Sequence, residues 1–162
     1  MSDDNKTEDQ QAHRRFAPAC FNETWELLEG LEDASDGEDV EEVVLTAAAS
    51  LWHWTQRDDV TATNRSVGTW LLSRVYAVVE RPNEAVYWGE RSLYWAREGG
   101  GAPFYVGYAY EGLARACVQL DSTDAERYMS RAEEQLEGVD DDELERLLEQ
   151  DLRELRGDVG TR

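Results

Sequence analysis

Apolar residues recur every three to four positions along most of the 162-residue chain, and no segment alternates apolar and polar residues with a period of two. This spacing places the apolar side chains of each segment on one face of a helix. The pattern therefore predicts an all-α protein of about seven helices.

The ends of the predicted helices follow from helix-breaking and capping residues. We expect the first helix over residues 17–29, because Pro18 is tolerated in a first turn and Gly30 follows the last apolar position. The segment from Ser35 to Glu38 resembles a capping box and predicts a second helix that ends near residue 57. The other helices are predicted over residues 60–80, 82–97, 103–120, 122–137 and 140–155.

The segment YAVVERPNEAVYW, residues 76–88, predicts a tight hairpin of two helices. Proline disfavours helical geometry at the preceding residue but suits the first turn of a new helix, so Pro82 ends one helix and starts the next. The seventh helix has a leucine stripe opposite an acidic face, as expected of a helix that closes the end of a stack. The stripe comprises Leu144, Leu147, Leu148, Leu152 and Leu155.

The two middle hairpins repeat each other at an offset of 40 residues, since residue 85 falls on residue 125 and residue 92 on residue 132. The residues at these positions are Ala85, Ala125, Ser92 and Ala132. Small side chains there let paired helices approach closely, as stacked helical repeats require. We therefore predict a right-handed stack of antiparallel helix hairpins.

This spacing resembles that of the tetratricopeptide repeat, which has about 34 residues per unit. That family has small residues at contact positions such as those of Ser73, Ala85 and Ser92, but a large apolar residue where this chain has Gly89. Five further segments carry a closer resemblance: NETWELL, AAASLWHWTQ, NRSVGTWLLSRVYAVVERPNEAVYW, YAYEGLARA and LLEQDLREL. Together they are similar to a family of small bacterial and archaeal proteins with tetratricopeptide-like folds, which implies the fold and no particular activity.

Composition favours a single folded domain. Hydrophobic residues make up 41% of the chain and aromatic residues 10%, which supports one core despite a net charge of −20. We expect a disordered acidic tail over residues 1–11, a helical-repeat domain over 12–157 and a flexible tail over 158–162. Because no apolar run is long enough for a signal peptide or a membrane span, we expect a cytoplasmic protein that does not bind membranes.

The acidic residues are concentrated in both flanks of the chain. Residues 23–42 carry ten acids and no base, residues 121–162 carry fifteen acids and six bases, and residues 43–120 carry seven acids and seven arginines. The neutral middle also holds twelve of the sixteen aromatic residues, so we expect any binding surface there. The overall charge would repel a phosphate backbone, which argues against binding of nucleic acid.

Lys6 is the only lysine in this acid-rich chain. This composition predicts a halophilic host, because a Debye length of about 3 Å at 1 M salt would screen the self-repulsion of the protein. A GC-rich genome is an alternative explanation for the shortage of lysine.

Residues that could carry chemistry are sparse. His13 and His53 are far apart in the chain, and Cys20 and Cys117 lie in different helices without a partner at ligand spacing, so we predict no metal site, no cofactor and reduced cysteines. No strand precedes the run of glycines at 99–101, which we interpret as a linker rather than a nucleotide-binding loop. We therefore expect no enzymatic activity.

Trp70, Arg74 and Tyr110 form the best candidate binding set. If helices three and five line one inner face, these side chains project into a single groove, and their residue types carry much of the binding energy in protein recognition. Alternatively, Trp70 packs in the core and Arg74 lies at the surface. The same two interpretations apply to Asn64 and Arg65, near the start of helix three.

Three further positions could contribute to a pocket. His53, beside Trp54, could act as a base or ligand near neutral pH, or could be a partly buried histidine with one hydrogen bond. Glu111 and Arg115, four residues apart in an apolar helix, could form an ion pair worth a few tenths of a kcal/mol or point jointly into a pocket.

The sequence thus favours a non-catalytic module that binds a peptide or a partner protein in an aromatic groove. The alternative hypothesis is a small-ligand binder or an enzyme with a pocket near His53, Arg65, Arg74 and Glu111. Self-association through exposed aromatic side chains, giving a homo-oligomer, is a third hypothesis.

Overall fold

The computed structural model describes residues 3–31 and 37–160, with side chains described for 7–31 and 37–157. Within these residues the chain forms seven α-helices and no β-strand. The helices are α1 (Asp3–Gly30), α2 (Glu38–Gln56), α3 (Ala62–Val78), α4 (Pro82–Glu98), α5 (Pro103–Gln119), α6 (Asp124–Leu136) and α7 (Asp142–Gly160). Helices α1 to α6 pack as three consecutive hairpins, and α7 packs on α5 and α6. The predicted all-α stack of helix hairpins is confirmed.

Prolines and left-handed residues set the tight turns between helices. Pro82 and Pro103 are the first residues of α4 and α5, as the sequence predicts. Glu80, in the turn before α4, has a φ of 55°, while Gly100 and Gly101, before α5, have φ values of 98° and 69°. Glycine adopts such angles without the steric cost that a side chain adds. The glycine run is therefore the connection between two hairpins.

Helix α1 begins well before the predicted position. Residues 3–11, expected to belong to a disordered tail, are helical. This part of α1 packs on the end of α2 through polar contacts, which apolar periodicity does not reveal: Gln10 Nε2 donates to the Gln56 carbonyl at 3.0 Å, and Arg14 pairs with Asp58 at 2.8 Å. Residues 1 and 2 lie outside the described part of the chain.

Two other predicted helix ends also differ from the structure. Helix α7 continues to Gly160, into the segment expected to be a flexible tail, of which residues 161 and 162 are not described. Helix α2 begins after Gly37, whose φ is 120°, and makes no side-chain cap there. The predicted capping box starting at Ser35 falls partly outside the described residues.

The small residues of the repeat lie at helix contacts, as the 40-residue offset predicts. Ala85, Ser92, Ala125 and Ala132 are all buried. Gly89 also lies where α4 approaches α3 and α5 closely, because a Cβ atom there would lie 2.9 Å from Leu113 Cδ2 and 3.3 Å from Ser73 Oγ. A large apolar side chain at this position would therefore separate α4 from α3 and α5.

Helix α7 covers the end of the last hairpin with a leucine stripe. Leu148, Leu152 and Leu155 are buried against α5 and α6, which supports the prediction of a closing helix. Leu147 is 48% exposed and does not belong to the buried stripe, contrary to the prediction. A step of one residue from Leu148 rotates the side chain by about 100°, away from the buried face.

Candidate functional site

The first helices of the three hairpins enclose a cavity of about 290 Å³, here called the main cavity. Helix α1 provides two of its lining residues, α3 three, α4 one and α5 three. These residues are Phe21, Trp25, Ser66, Val67, Trp70, Ser92, Phe104, Tyr105 and Tyr108. Six of the nine are aromatic, so the cavity is an apolar, ring-lined site.

The aromatic walls of the main cavity contact one another, Trp70 and Phe104 meeting Tyr108 edge to face and Trp25 meeting Trp70 at a tilt. The ring of Trp70 lies 5.8 Å from that of Trp25 and 5.1 Å from that of Tyr108, while Phe104 lies 5.0 Å from Tyr108. T-shaped contacts of this kind stabilise pairs of rings beyond the area they bury. The contacts hold the walls in defined positions around the open volume.

The two serines of the main cavity bind each other across the α3/α4 contact. Ser66 Oγ donates to the Ser92 carbonyl at 3.1 Å, and Ser92 Oγ donates to the Ser66 carbonyl at 3.1 Å. Because both hydroxyl donors are used within the protein, they add little hydrogen-bonding capacity for an occupant. The cavity therefore favours apolar groups.

A second cavity of about 210 Å³ adjoins the main cavity and shares three of its walls, Phe21, Val67 and Tyr105. Its other lining residues are Pro18, Trp54, Thr63 and Asn64. The two cavities are together called the groove, which is lined by α1, α3 and α5 with Trp54 of α2 and Ser92 of α4.

A buried charge cluster formed by Arg74, Glu111 and Arg115 joins α3 to α5 beside the groove. Glu111 is fully buried, and its Oε1 atom accepts from Arg74 Nη1 at 3.2 Å, from Arg115 Nε at 2.8 Å and from Arg115 Nη2 at 2.5 Å. Its Oε2 atom is buried without a hydrogen-bond partner in the described structure. A buried carboxylate held by two arginines is a fixed structural element.

Helix α7 adds a second carboxyl group near this cluster. The Tyr108 hydroxyl donates a hydrogen bond to the Asp151 carboxylate. The pKa of Tyr108 is raised mainly by burial and, to a smaller extent, by the negative charge of Asp151. Burial also raises the pKa of Asp151, and the negative charge of Glu111 raises it further. The ring of Tyr108 thus forms part of the groove wall, and its hydroxyl is fixed by a hydrogen bond to Asp151 of α7.

The structure separates the predicted set of Trp70, Arg74 and Tyr110. Trp70 lines the main cavity, and Arg74 belongs to the charge cluster one helical turn away. Tyr110 accepts a hydrogen bond from Arg97 Nη2 at 2.8 Å and stacks on Tyr128 of α6. Grouping Tyr110 with Trp70 is therefore wrong, because a step of two residues from Tyr108 turns the side chain by about 200°.

Asn64 and Trp54 both line the second cavity, whereas Arg65 lines neither cavity. Asn64 and Thr61 form a capping box at the start of α3, in which Asn64 Oδ1 accepts from the Thr61 backbone amide at 3.0 Å. The Arg65 guanidinium lies 4.9 Å from the centre of the Trp95 ring, between α3 and α4. Trp54 lines the second cavity beneath the guanidinium of Arg57.

His53 contacts His13, although the sequence places the two residues far apart. Their Nδ1 atoms lie 2.9 Å apart, and Trp52 and Phe16 pack against the His53 ring. Burial and the neighbouring His13 lower the pKa of His53. Within the described residues, no three histidine, cysteine, aspartate or glutamate side chains come together in a way that could hold a metal ion.

The alternative pocket of His53, Arg65, Arg74 and Glu111 is not formed. Only Arg74 and Glu111 are in contact, while His53 packs with His13 and Arg65 packs on Trp95. The four residues lie on four different turns of three helices, and sequence separation alone did not indicate which turns face one another.

Most walls of the groove were missed by the sequence-based prediction. They carry a usable signal, because Phe21 and Trp25 in α1 and Phe104 and Tyr108 in α5 are aromatic pairs spaced four residues apart. Such pairs share one face of a helix. Matching pairs on the first helices of the first and third hairpins therefore indicate a common aromatic surface.

No protein-family model matches the chain, and neither a curated protein nor a solved structure is significantly similar to it. In the part of the chain that the structure describes, no helix is long and apolar enough to cross a bilayer.

Proposed function

We propose that this chain is a non-catalytic, tetratricopeptide-like interaction module of the cytoplasm that binds a peptide segment of a partner protein in the groove. The groove itself carries the proposal. It is an open, ring-lined depression assembled from α1, α3, α4 and α5, and the serine donors in its wall are already used within the protein. Aromatic surfaces of this type bind apolar anchor side chains.

The size of the main cavity favours a side chain over a whole metabolite. Its volume of about 290 Å³ lies at the lower limit of the roughly 300–1,000 Å³ typical of small-molecule sites. A cavity of about 150 Å³ is enough to hold benzene. The main cavity therefore accommodates one large aromatic side chain or two smaller apolar ones, and the second cavity provides room for a neighbouring residue of the same peptide.

The negative charge next to Trp25 on α1 favours basic residues beside the anchor. Glu26 and Glu29 are exposed on α1, close in sequence to the groove residue Trp25. Both lie near the C-terminus of α1, where the helix dipole disfavours negative charge and no basic residue compensates. A lysine or arginine of the peptide would relieve this repulsion, and the net charge of −20 would accelerate its association.

A displayed library of random peptides, selected at fixed salt, provides the test. Peptides enriched on the unmodified protein are measured individually by the fluorescence change of the groove tryptophans. The blocking variant is Val67→Trp, because Val67 lines both cavities and a larger ring there fills them. Leu120→Trp is the matched control, since Leu120 is 41% exposed and lines neither cavity.

We expect enriched peptides to carry an aromatic or long aliphatic residue next to lysine or arginine, and to bind Val67→Trp at least tenfold more weakly than Leu120→Trp. Glu26→Gln with Glu29→Gln should weaken the same peptides several-fold and reduce the salt dependence of binding. Failure to enrich any peptide whose binding depends on Val67 would overturn the proposal. Binding of a small apolar molecule alone, blocked by Val67→Trp, would assign the groove to a different class of ligand.

A further inference from the structure

Helix α4 presents an outer face that bears large aromatic side chains. Tyr87 is 57% exposed and Tyr94 is 46% exposed, and their spacing of seven residues places them on one stripe of the helix. The Arg91 guanidinium lies 4.8 Å from the centre of the Tyr94 ring. Tyrosine and arginine are enriched at the energetic centres of protein interfaces.

Charged residues flank Tyr94 in an ordered way. Arg91 and Glu98, three residues before and four residues after Tyr94, lie on one side of the stripe, and Glu90 and Arg97 lie on the other. Each side therefore carries one positive and one negative group. On the first side, the positive charge of Arg91 comes before Tyr94 and the negative charge of Glu98 after it. On the second side the order is opposite, with Glu90 before Tyr94 and Arg97 after it.

This arrangement is complementary to itself. When two copies of α4 pack antiparallel about a two-fold axis at Tyr94, each side of the stripe meets the same side of the second copy in the reverse direction. Arg91 then lies beside Glu98 of the second copy, and Glu90 lies beside Arg97. By symmetry each pairing occurs twice, so four opposite-charge pairs surround the two tyrosine rings.

Three of these four charges are available for contact with another molecule, while Arg91 is partly buried over the rings of Tyr94 and Trp95. Glu90, Arg97 and Glu98 are exposed, and none of the three forms an ion pair with another described residue. Arg97 donates one hydrogen bond, to the neutral Tyr110 hydroxyl. The outer face of α4 faces away from the groove, whose only α4 residue is Ser92, on the buried side of the helix.

We infer that the outer face of α4 is the interface of an antiparallel homodimer centred on Tyr94. One helix face buries less than the roughly 800 Å² per partner of a standard interface, so the dimer forms and dissociates with concentration. Because exposed ion pairs contribute little individually, the tyrosine rings provide most of the binding energy, and the charges determine register and orientation.

Charge exchange between two chains provides the test, with mass measured by sedimentation over a concentration series at one fixed salt concentration at which the unmodified protein is folded. Glu90→Arg alone places two arginines side by side at each Glu90–Arg97 contact, and Arg97→Glu alone places two glutamates there. We expect each variant to be at least tenfold weaker in self-association than the unmodified protein. An equimolar mixture should regain the dimer, because every such contact then joins opposite charges.

Two controls separate this surface from others. Glu134→Arg and Arg131→Glu make the same charge changes on the exposed side of α6 and should leave the dimer unchanged. Trp52→Glu alters a different exposed aromatic side chain, on α2, where Trp52 is 54% exposed. Tyr94→Glu should abolish association, and melting temperatures show that each variant is folded.

Three outcomes would overturn the inference: a monomer at every concentration, a dimer lost with Trp52→Glu but kept with Tyr94→Glu, or a mixture of the exchanged variants that stays monomeric. None of these outcomes bears on the groove, so the peptide-binding proposal is tested separately.

Discussion

The imidazole rings of His13 and His53 meet with their Nδ1 atoms 2.9 Å apart, across 40 residues of sequence. One ring must donate a proton to the other, so the contact requires at least one ring to be neutral. The pair joins the first half of α1 to the end of α2, beside the Arg14–Asp58 ion pair. Protonation of both rings breaks the hydrogen bond and places two like charges together.

Acid should therefore destabilise the α1/α2 contact. The pKa of His53 is lowered from its ordinary value of 6.5 by burial and by His13, so the unfolded chain binds more protons than the folded chain as the pH falls below about 6.5. This contribution to stability is complete above pH 6.5 and decreases below it. Thermal unfolding between pH 7.5 and 5 at constant salt measures the effect.

Removal of either histidine should flatten this pH dependence. These are the only two histidines in the chain, so His53→Gln and His13→Gln should each reduce the difference in melting temperature between pH 7.5 and 5. The double variant should resemble the single ones, because the two rings act as one unit. Equal pH dependence in all four proteins would contradict this interpretation.

Glu111→Ala should be among the most destabilising single changes in the protein. The change leaves Arg74 and Arg115, whose side chains are 18% and 17% exposed, without their shared carboxylate. Breaking a buried ion pair by removing one partner typically costs about 3–5 kcal/mol. Urea unfolding gives the free energy directly.

An exposed ion pair provides the control for Glu111. Glu149→Ala removes the partner of Arg153, whose side chain is 72% exposed, and should change the free energy of unfolding by less than about 1 kcal/mol. A loss of similar size in both variants would show that burial of the Arg74–Glu111–Arg115 cluster adds nothing to its effect.

Replacement of Gly89 by alanine should destabilise the protein even though alanine favours helices by about 1 kcal/mol. The new Cβ atom would lie 2.9 Å from Leu113 Cδ2 and 3.0 Å from Leu113 Cγ, and Leu113 is itself buried. Overpacking of this type costs about 1–3 kcal/mol.

Gly157→Ala in α7 is the matched change for Gly89. Among the described residues, no atom outside the neighbouring helix backbone lies within 4 Å of its added Cβ, so the same substitution there should stabilise the protein by about 0.5–1 kcal/mol. Chemical unfolding of both variants should give opposite signs. A stabilising Gly89→Ala would mean that α3, α4 and α5 can move apart at little cost.

Salt should stabilise the fold. With a net charge of −20, repulsion between carboxylates opposes the compact state at low ionic strength and weakens as the Debye length shortens. We expect the helical circular dichroism to decrease on dialysis into dilute buffer and the melting temperature to rise with sodium chloride. Full folding without added salt would contradict the halophilic interpretation.

A charge-neutralised variant tests the cause of the salt dependence. Glu38→Gln with Glu41→Gln removes two exposed acids from the first turn of α2. If repulsion dominates, this change should lower the dependence of melting temperature on salt. If the salt acts mainly through apolar burial, the dependence should stay the same.

The sequence was sufficient to predict the helices of the fold because their signals are local. Pro82 and Pro103 start helices where predicted, and the small residues Ala85 and Ala132 lie at helix contacts. The extension of α1 to Asp3 was not predicted, because its docking depends on hydrogen bonds and an ion pair to residues more than 40 positions away. Such contacts leave no periodic pattern in the chain.

The site was predicted less completely, since it depends on which turns of separate helices meet. The sequence identifies Trp70 as a groove residue but assigns Tyr110 to the groove in place of Tyr108, two positions earlier. The sequence assigns Arg74 to a binding surface, whereas in the structure Arg74 is partly buried and paired with Glu111. Turning a helix about its axis by the angle of one residue, about 100°, exchanges the positions that line the groove with those that pack in the core. Sequence spacing does not determine how each helix is turned relative to its neighbours.

All three hairpins contribute lining residues to the main cavity, so any molecule that fills it contacts all three at once. A bound peptide would make the opening of the first hairpin and the opening of the third interdependent, and the protein would unfold more sharply as well as at a higher temperature. The steepness of the melting curve is therefore an independent gauge of occupancy.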